Sequence, residues 1–268
     1  MKSANNFATI FSNWQYVLPP SRPSREELGR IRALLVREDV NNPIAVLGST
    51  IEFRNLLYEM GFKNIYIFEK NSEFYEWTKS WIVDENGFEK VIWGDWLDTI
   101  KCYRNEFVAV LSDLTMGNID YAHRKEFYTA IYEAIRPSGV FIDKVLTHCI
   151  PNIPLGLLEN QYQRIPLNLE SVNRFSCEVL FCSDLLNNGI IDTTKSYETL
   201  RAHFKAPLLQ KYIERCQLIT PEDCIWYYGK PWDELKGDYI QPYKKSFIFE
   251  DQPSSPYYKR LKIFVHVK

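Results

Sequence analysis

Residues 44–52 read Ile-Ala-Val-Leu-Gly-Ser-Thr-Ile-Glu. Four consecutive apolar residues make a strand with no face suited to water, as in a sheet covered on both sides. Gly48 breaks that strand. Ile51–Met60 then carries apolar residues at helical spacing until Gly61. A buried strand turning directly into a helix is the first half of a β-α-β unit, and outward from it the rhythm repeats. Ile65–Phe68 reads as a second strand, Ser72–Val83 as a helix, Glu89–Trp93 as a short third strand and Phe107–Leu111 as a fourth. Tyr121–Ile135 reads as a helix stopped by Arg136-Pro137-Ser138-Gly139, and Val140–Val145 as a fifth strand. Upstream, Ser24, Glu26 and Glu27 followed by Leu28, Ile31, Leu34 and Leu35 mark a helix start with one apolar face. The fold class is therefore α/β, doubly wound around a mostly parallel, Rossmann-like sheet.

After Pro151 the alternation stops. Residues 151–241 read as a mostly helical insertion following the fifth strand. Leu167–Leu186 and Tyr197–Cys216 are helical, Pro207 kinks or divides the second, and Thr220-Pro221-Glu222-Asp223 forms a further helix start. Lys245–Glu250 and Leu261–Val267, in residues 242–268, then read as an antiparallel hairpin that completes a seven-stranded sheet. The division is an N-terminal lid and helix (1–40), the core (41–150), the insertion as substrate cap (151–241) and the hairpin.

The 268 residues bury a core without needing staples. A net charge of -2 with no basic run argues against nucleic acid or an anionic membrane as partner. The longest apolar runs are strand-sized, too short to span a bilayer. Six cysteines without a zinc or redox spacing, and an N-terminus without a signal-peptide pattern, lead us to expect reduced thiols in a cytoplasmic protein. Four scattered histidines offer no metal cluster. Homo-oligomerisation is left open.

In an open α/β sheet, ligands bind beyond the carboxyl ends of the strands. Gly48 allows a tight turn and close backbone approach there, while Ser49, Thr50 and Glu52 bring polar groups. Glu69 ends the second strand, where a carboxylate accepts the two hydrogen bonds of a ribose diol. Lys70 follows it. Gly94-Asp95-Trp96 closes the third strand: Asp95 suits an exocyclic amine, or a helix cap, and Trp96 suits a purine face. Asp113, ending the fourth strand, points into the same crevice and is the candidate acid or base at the reacting end.

This ordered set resembles the class I S-adenosylmethionine-dependent methyltransferases over Ile44–Val145, with Pro137-Ser138-Gly139 and the terminal hairpin also similar. The resemblance implies S-adenosylmethionine as cofactor. Its methionine part would lie on Gly48–Glu52, its ribose on Glu69, its adenine on residues 94–96 and the transfer site beside Asp113. Thr50 and Glu52 stand where that family usually has further glycines. The fourth-strand motif also lacks the Asn-Pro-Pro-aromatic signature of many enzymes that methylate base or amide nitrogens.

Methyl transfer needs the acceptor aligned and, where it carries a proton, a base. His148 is a second candidate base. Trp14, Tyr16, Asn118, Tyr228 and Trp232 are candidate contacts for an acceptor, expected to be a small molecule in an aromatic pocket. The rival readings are a nicotinamide dehydrogenase, which also uses a glycine loop and a later acid, and a cofactor-binding sensor or scaffold without transfer.

Overall fold

The computed structural model describes residues 12–83, 87–147, 151–186, 189–227, 243, 245–249 and 261–268. The chain divides into two units, one built from residues 22–145, 233–251 and 262–268, the other from residues 1–21, 146–232 and 252–261.

In the larger unit, helix α1 (Arg25–Leu35) is nucleated by a capping box. Ser24 Oγ accepts from the Glu27 backbone N–H at 3.1 Å, and a Glu27 carboxylate oxygen accepts from the Ser24 N–H at 2.5 Å. Strand β1 (Ile44–Leu47) is buried throughout. It runs into α2 (Ile51–Glu59), then β2 (Ile65–Glu69) and α3 (Ser72–Lys79). β3 (Glu89–Trp93) and the short α4 (Trp96–Thr99) follow, then β4 (Phe107–Asp113), α5 (Arg124–Ala134) and β5 (Ile135–Leu146).

The sheet has seven strands in the order β3-β2-β1-β4-β5-β9-β8, with β8 spanning Lys245–Phe249 and β9 spanning Leu261–Val267. The first five are parallel to one another, and β8 pairs antiparallel with β9. The Lys268 N–H donates to the Gly139 carbonyl and the Ser138 N–H to the Lys268 carbonyl, so β9 returns antiparallel along β5. The expected doubly wound sheet with its terminal hairpin is present. On one face Ile31 and Leu35 of α1 and Phe53, Leu56 and Leu57 of α2 pack against Ile44, Val46, Ile65, Ile67, Leu111 and Ile142.

Several boundaries differ from those expected, each for a local reason. The helix from Ser72 ends at Lys79 rather than Val83, because Asn55 captures the next turn, donating to the Trp81 carbonyl and accepting from the Val83 N–H. The helix expected from Tyr121 begins at Arg124, since Asp120 caps a turn through the Ala122 and His123 N–H groups. Arg136–Gly139 does not precede the fifth strand but lies inside it. The register with β4 shifts there, from Phe107 opposite Ile135 to Ala109 opposite Val140. Glycine is needed at that crossing: a Cβ on Gly139 would stand 2.9 Å from the Phe107 and Val108 carbonyl oxygens.

The second unit holds α6 (Leu155–Tyr162), α7 (Leu169–Cys182), α8 (Thr193–His203) and α9 (Pro207–Ile219). Pro207 divides the expected second helix by starting α9. The helix expected at Thr220–Asp223 is absent. Thr220 Oγ1 is engaged by Ser176 Oγ instead of capping, Asp223 sits at φ 62, and the Cys224 N–H donates to Thr193 Oγ1. The chain thereby enters β7 (Ile225–Tyr227), paired antiparallel with β6 (Ile190–Asp192). No helix among the described residues is long and apolar enough to cross a membrane.

Gly139→Ala should cost about 1–3 kcal/mol, since the added methyl is driven into two carbonyl groups that cannot yield without breaking the ladder. Urea unfolding checks this, and unchanged stability would refute the close approach.

Candidate functional site

Parallel strands end on the same side of the sheet, and their register decides which side chains meet there. Leu47 stands opposite Phe68 on β2 and Ser112 on β4. Glu69 stands opposite Trp93, and Asp113 opposite Lys144. The next step past Leu47 therefore sets Trp93, Glu69, Gly48, Asp113 and Lys144 in one row across five strands. With neighbouring strands about 4.8 Å apart, the Glu69 and Asp113 backbones flank Gly48 at roughly 10 Å from each other. Gly48 takes φ +83, a left-handed turn that glycine allows at little cost, and its N–H still donates to the Phe68 carbonyl at 2.8 Å. After Asp113 the chain turns sharply through Leu114 at φ 57 into a 3-10 turn over Thr115–Asn118.

On the β2 side, Glu69 is buried and both of its oxygens have partners. Ser49 Oγ donates to one at 3.0 Å, and the Asn71 N–H to the other at 2.8 Å. Burial raises the Glu69 pKa above the usual carboxylate value, opposed by these hydrogen bonds and by Lys70. Trp96 does not stand free. Its Nε1 donates to the Phe68 carbonyl at 2.8 Å, and its ring lies 3.7 Å from where a Gly48 Cβ would be. Asp95 caps α4 through the Leu97 N–H and lies 3.6 Å from Lys70 Nζ.

On the β4 side the row ends in a buried ionic cluster. Lys144, its side chain 3% exposed, has Glu27 carboxylate oxygens at 3.1 Å, the Arg22 carbonyl at 3.3 Å and Asp113 Oδ1 at 3.6 Å. Arg22 lies 3.6 Å from Glu52, whose other carboxylate oxygen is buried and makes no hydrogen bond within the protein. Asp113 Oδ1 likewise makes none beyond the longer approach of Lys144. Burial, reinforced by Glu27 and Glu52 and opposed by Lys144, raises the Asp113 pKa to about 7. Burial also raises Glu52.

Of the residues singled out in the sequence, Gly48, Ser49, Thr50, Glu52, Glu69, Lys70, Asp95, Trp96 and Asp113 thus fall at the carboxyl ends of β1 to β4. Asn118 is exposed in the turn after β4. Trp14 and Tyr16 lie in the other unit, where Asn173 of α7 donates to the Tyr16 carbonyl and accepts from the Leu18 N–H. His148, Tyr228 and Trp232 lie outside the described residues. Lys144 and Glu27 were missed as site residues. The signal was present: Asp143-Lys144 interrupts an apolar strand, and a charge inside a doubly covered sheet requires a partner.

No family model matches the chain, and no curated protein matches it. Solved structures do. A protein of Rhodobacter sphaeroides described as a Zn-dependent alcohol dehydrogenase is 13% identical, with a TM-score of 0.59 over 98% of this chain and 97% of its own. A Listeria monocytogenes protein described as an S-adenosylmethionine-dependent methyltransferase is 13% identical, with a TM-score of 0.51 over 91% of this chain and 95% of its own. The 1,6-didemethyltoxoflavin-N1-methyltransferase of Burkholderia thailandensis, solved with its substrate and S-adenosylhomocysteine, is 9% identical with a TM-score of 0.51, covering 99% of this chain and 86% of its own. The chain has the class I methyltransferase fold. At these identities the likeness is one of fold. The antiparallel β9 between β5 and β8 is the feature of this fold that an all-parallel dinucleotide-binding sheet lacks.

The raised Asp113 pKa fixes the sign of a pH effect on stability. A folded-state value of about 7 against 3.8 means that the folded protein binds the proton more tightly. The stability linked to this group is full below pH 3.8 and is lost as pH rises through about 7. Asp113→Asn should therefore flatten the fall of Tm between those pH values. Parallel Tm profiles for the two proteins would contradict a raised Asp113.

Proposed function

We propose that this protein is an S-adenosylmethionine-dependent methyltransferase whose cofactor lies along the row Glu69, Gly48, Asp113, with a small molecule as methyl acceptor. The observation that carries this reading is the register. It sets the Glu69 carboxylate and the Asp113 carboxylate, whose pKa is raised, on opposite sides of a left-handed glycine, at the carboxyl ends of three adjacent parallel strands. The strand order favours it over a nicotinamide dehydrogenase.

The residues present fit such a cofactor. Glu69 accepts ribose hydroxyls by exchanging the Ser49 hydroxyl for them, a trade of one hydrogen bond for another of the same kind. Gly48 keeps the approach to the loop free of a side chain. Glu27, Glu52 and Asp113 are three acids against the two bases Arg22 and Lys144, so the fully ionised cluster holds a surplus negative charge that suits a cationic ligand. When bound, the cofactor supplies an already activated methyl group. The protein has to hold the acceptor in line and, for a protonated acceptor, remove a proton. Asp113, titrating near neutrality, is the group placed to take it. A net charge of -2 without a basic run favours a small acceptor over a polyanionic one.

Titration calorimetry with S-adenosylmethionine, its demethylated product and NAD tests the reading. We expect binding of the first two and no comparable binding of NAD; tighter NAD binding would overturn it. Glu69→Ala should weaken cofactor binding by about 1–3 kcal/mol, roughly fivefold to 150-fold.

A further inference from the structure

We propose that Glu27 and Lys144 are positioning residues that set the charge state and aim of Asp113, so that helix α1 belongs to the working site. The inference rests on the role given to Asp113 above, but its geometry stands independently.

Glu27 has two tasks. As the third residue of α1 it closes the capping box, its carboxylate accepting from the Ser24 N–H at 2.5 Å. That contact fixes the side chain at the helix start. The same carboxylate reaches Lys144 Nζ with both oxygens at 3.1 Å. An ammonium has three N–H donors. One lies toward Glu27, one toward the Arg22 carbonyl at 3.3 Å, and Asp113 Oδ1 is the most distant acceptor at 3.6 Å. Lys144 is thus drawn toward Glu27 and held back from Asp113, although the sheet register sets Lys144 and Asp113 side by side.

The charged groups facing Asp113 are Lys144 from β5, Glu27 from α1, Arg22 from the segment before α1, by way of Glu52, and Glu52 from α2. Among them only Lys144 approaches Asp113 directly, and its position is governed by Glu27. Removing the Glu27 charge should let the ammonium move to Asp113 and hold it ionised. Removing the ammonium should leave Asp113 beside two other carboxylates and keep it protonated. The two changes act on one group in opposite directions, which a general loss of packing would not do.

The test is a carbon-13 carboxyl titration of the full chain by NMR, with the Asp113 signal assigned by its loss in Asp113→Asn. Glu27→Gln retains an acceptor for the Ser24 N–H and so preserves the capping box. It should lower the Asp113 midpoint by about one pH unit or more, while Lys144→Met should raise it by a similar amount. Circular dichroism confirms folding, and Lys144→Gln replaces Lys144→Met where the latter does not fold. An unmoved midpoint in Glu27→Gln, or shifts of the same sign in both variants, would overturn the proposal. Shifts of opposite sign without cofactor binding in calorimetry would leave this coupling standing and remove the methyltransferase reading.

Discussion

A lysine ammonium buried at the end of β5 has to be neutralised where it stands. Leaving such a charge without a partner costs several kcal/mol. Lys144 meets that demand with Glu27, a residue 117 positions earlier in the chain. The pairing ties α1 to the sheet at its first turn, while Ile31 and Leu35, further along the helix, bury themselves against β1 and β4. The capping box, the ion pair and the apolar face together fix the helix at both its start and its length. Arg22, drawn to Glu52 of α2, extends the same network toward the loop after β1.

The second constraint is the register of the parallel strands. Because each ladder advances by whole residues, the ends of β1, β2 and β4 come level with one another and with Lys144 of β5. The residues that fall in this row differ in chemistry: Glu69, already holding a hydroxyl, Gly48 just past β1, Asp113 with its raised pKa, and Lys144. The two halves of the row have distinct electrostatic character. Glu69 is hydrogen-bonded through both oxygens, as suits recognition of hydroxyl groups. Asp113 and Glu52 each retain an oxygen that the protein leaves without a hydrogen bond, as suits a ligand that brings positive charge. Burial, with Lys144 opposing it and the Glu27 and Glu52 carboxylates adding to it, raises the Asp113 pKa to about 7.

Much of this was legible in the sequence, because the dominant signals are local. The all-apolar run Ile44–Leu47 before Gly48 announces a doubly covered strand, and Glu69 announces its place at the carboxyl edge of the sheet by closing the next one. What escaped depends on distant partners. Nothing near Thr220 reveals that its hydroxyl will bond Ser176, so a well-formed helix start becomes the approach to a strand. The Arg136–Gly139 turn was visible, but its place inside β5 is set by pairing with β4 and with the chain terminus. Trp96 was expected to face a purine; that its indole N–H bonds the Phe68 carbonyl, 28 residues away, has no local signal. Glu27 was legible as a helix-start acid and illegible as the partner of Lys144, since one residue serves both purposes.

The most direct measurement is a crystal structure of the protein with the demethylated cofactor bound. The ribose hydroxyls are expected on Glu69, the Ser49 hydroxyl released from that carboxylate, and the sulfur on the Asp113 side of Gly48. A ligand bound elsewhere, or one bound while the Ser49–Glu69 hydrogen bond stays intact, would contradict this placement.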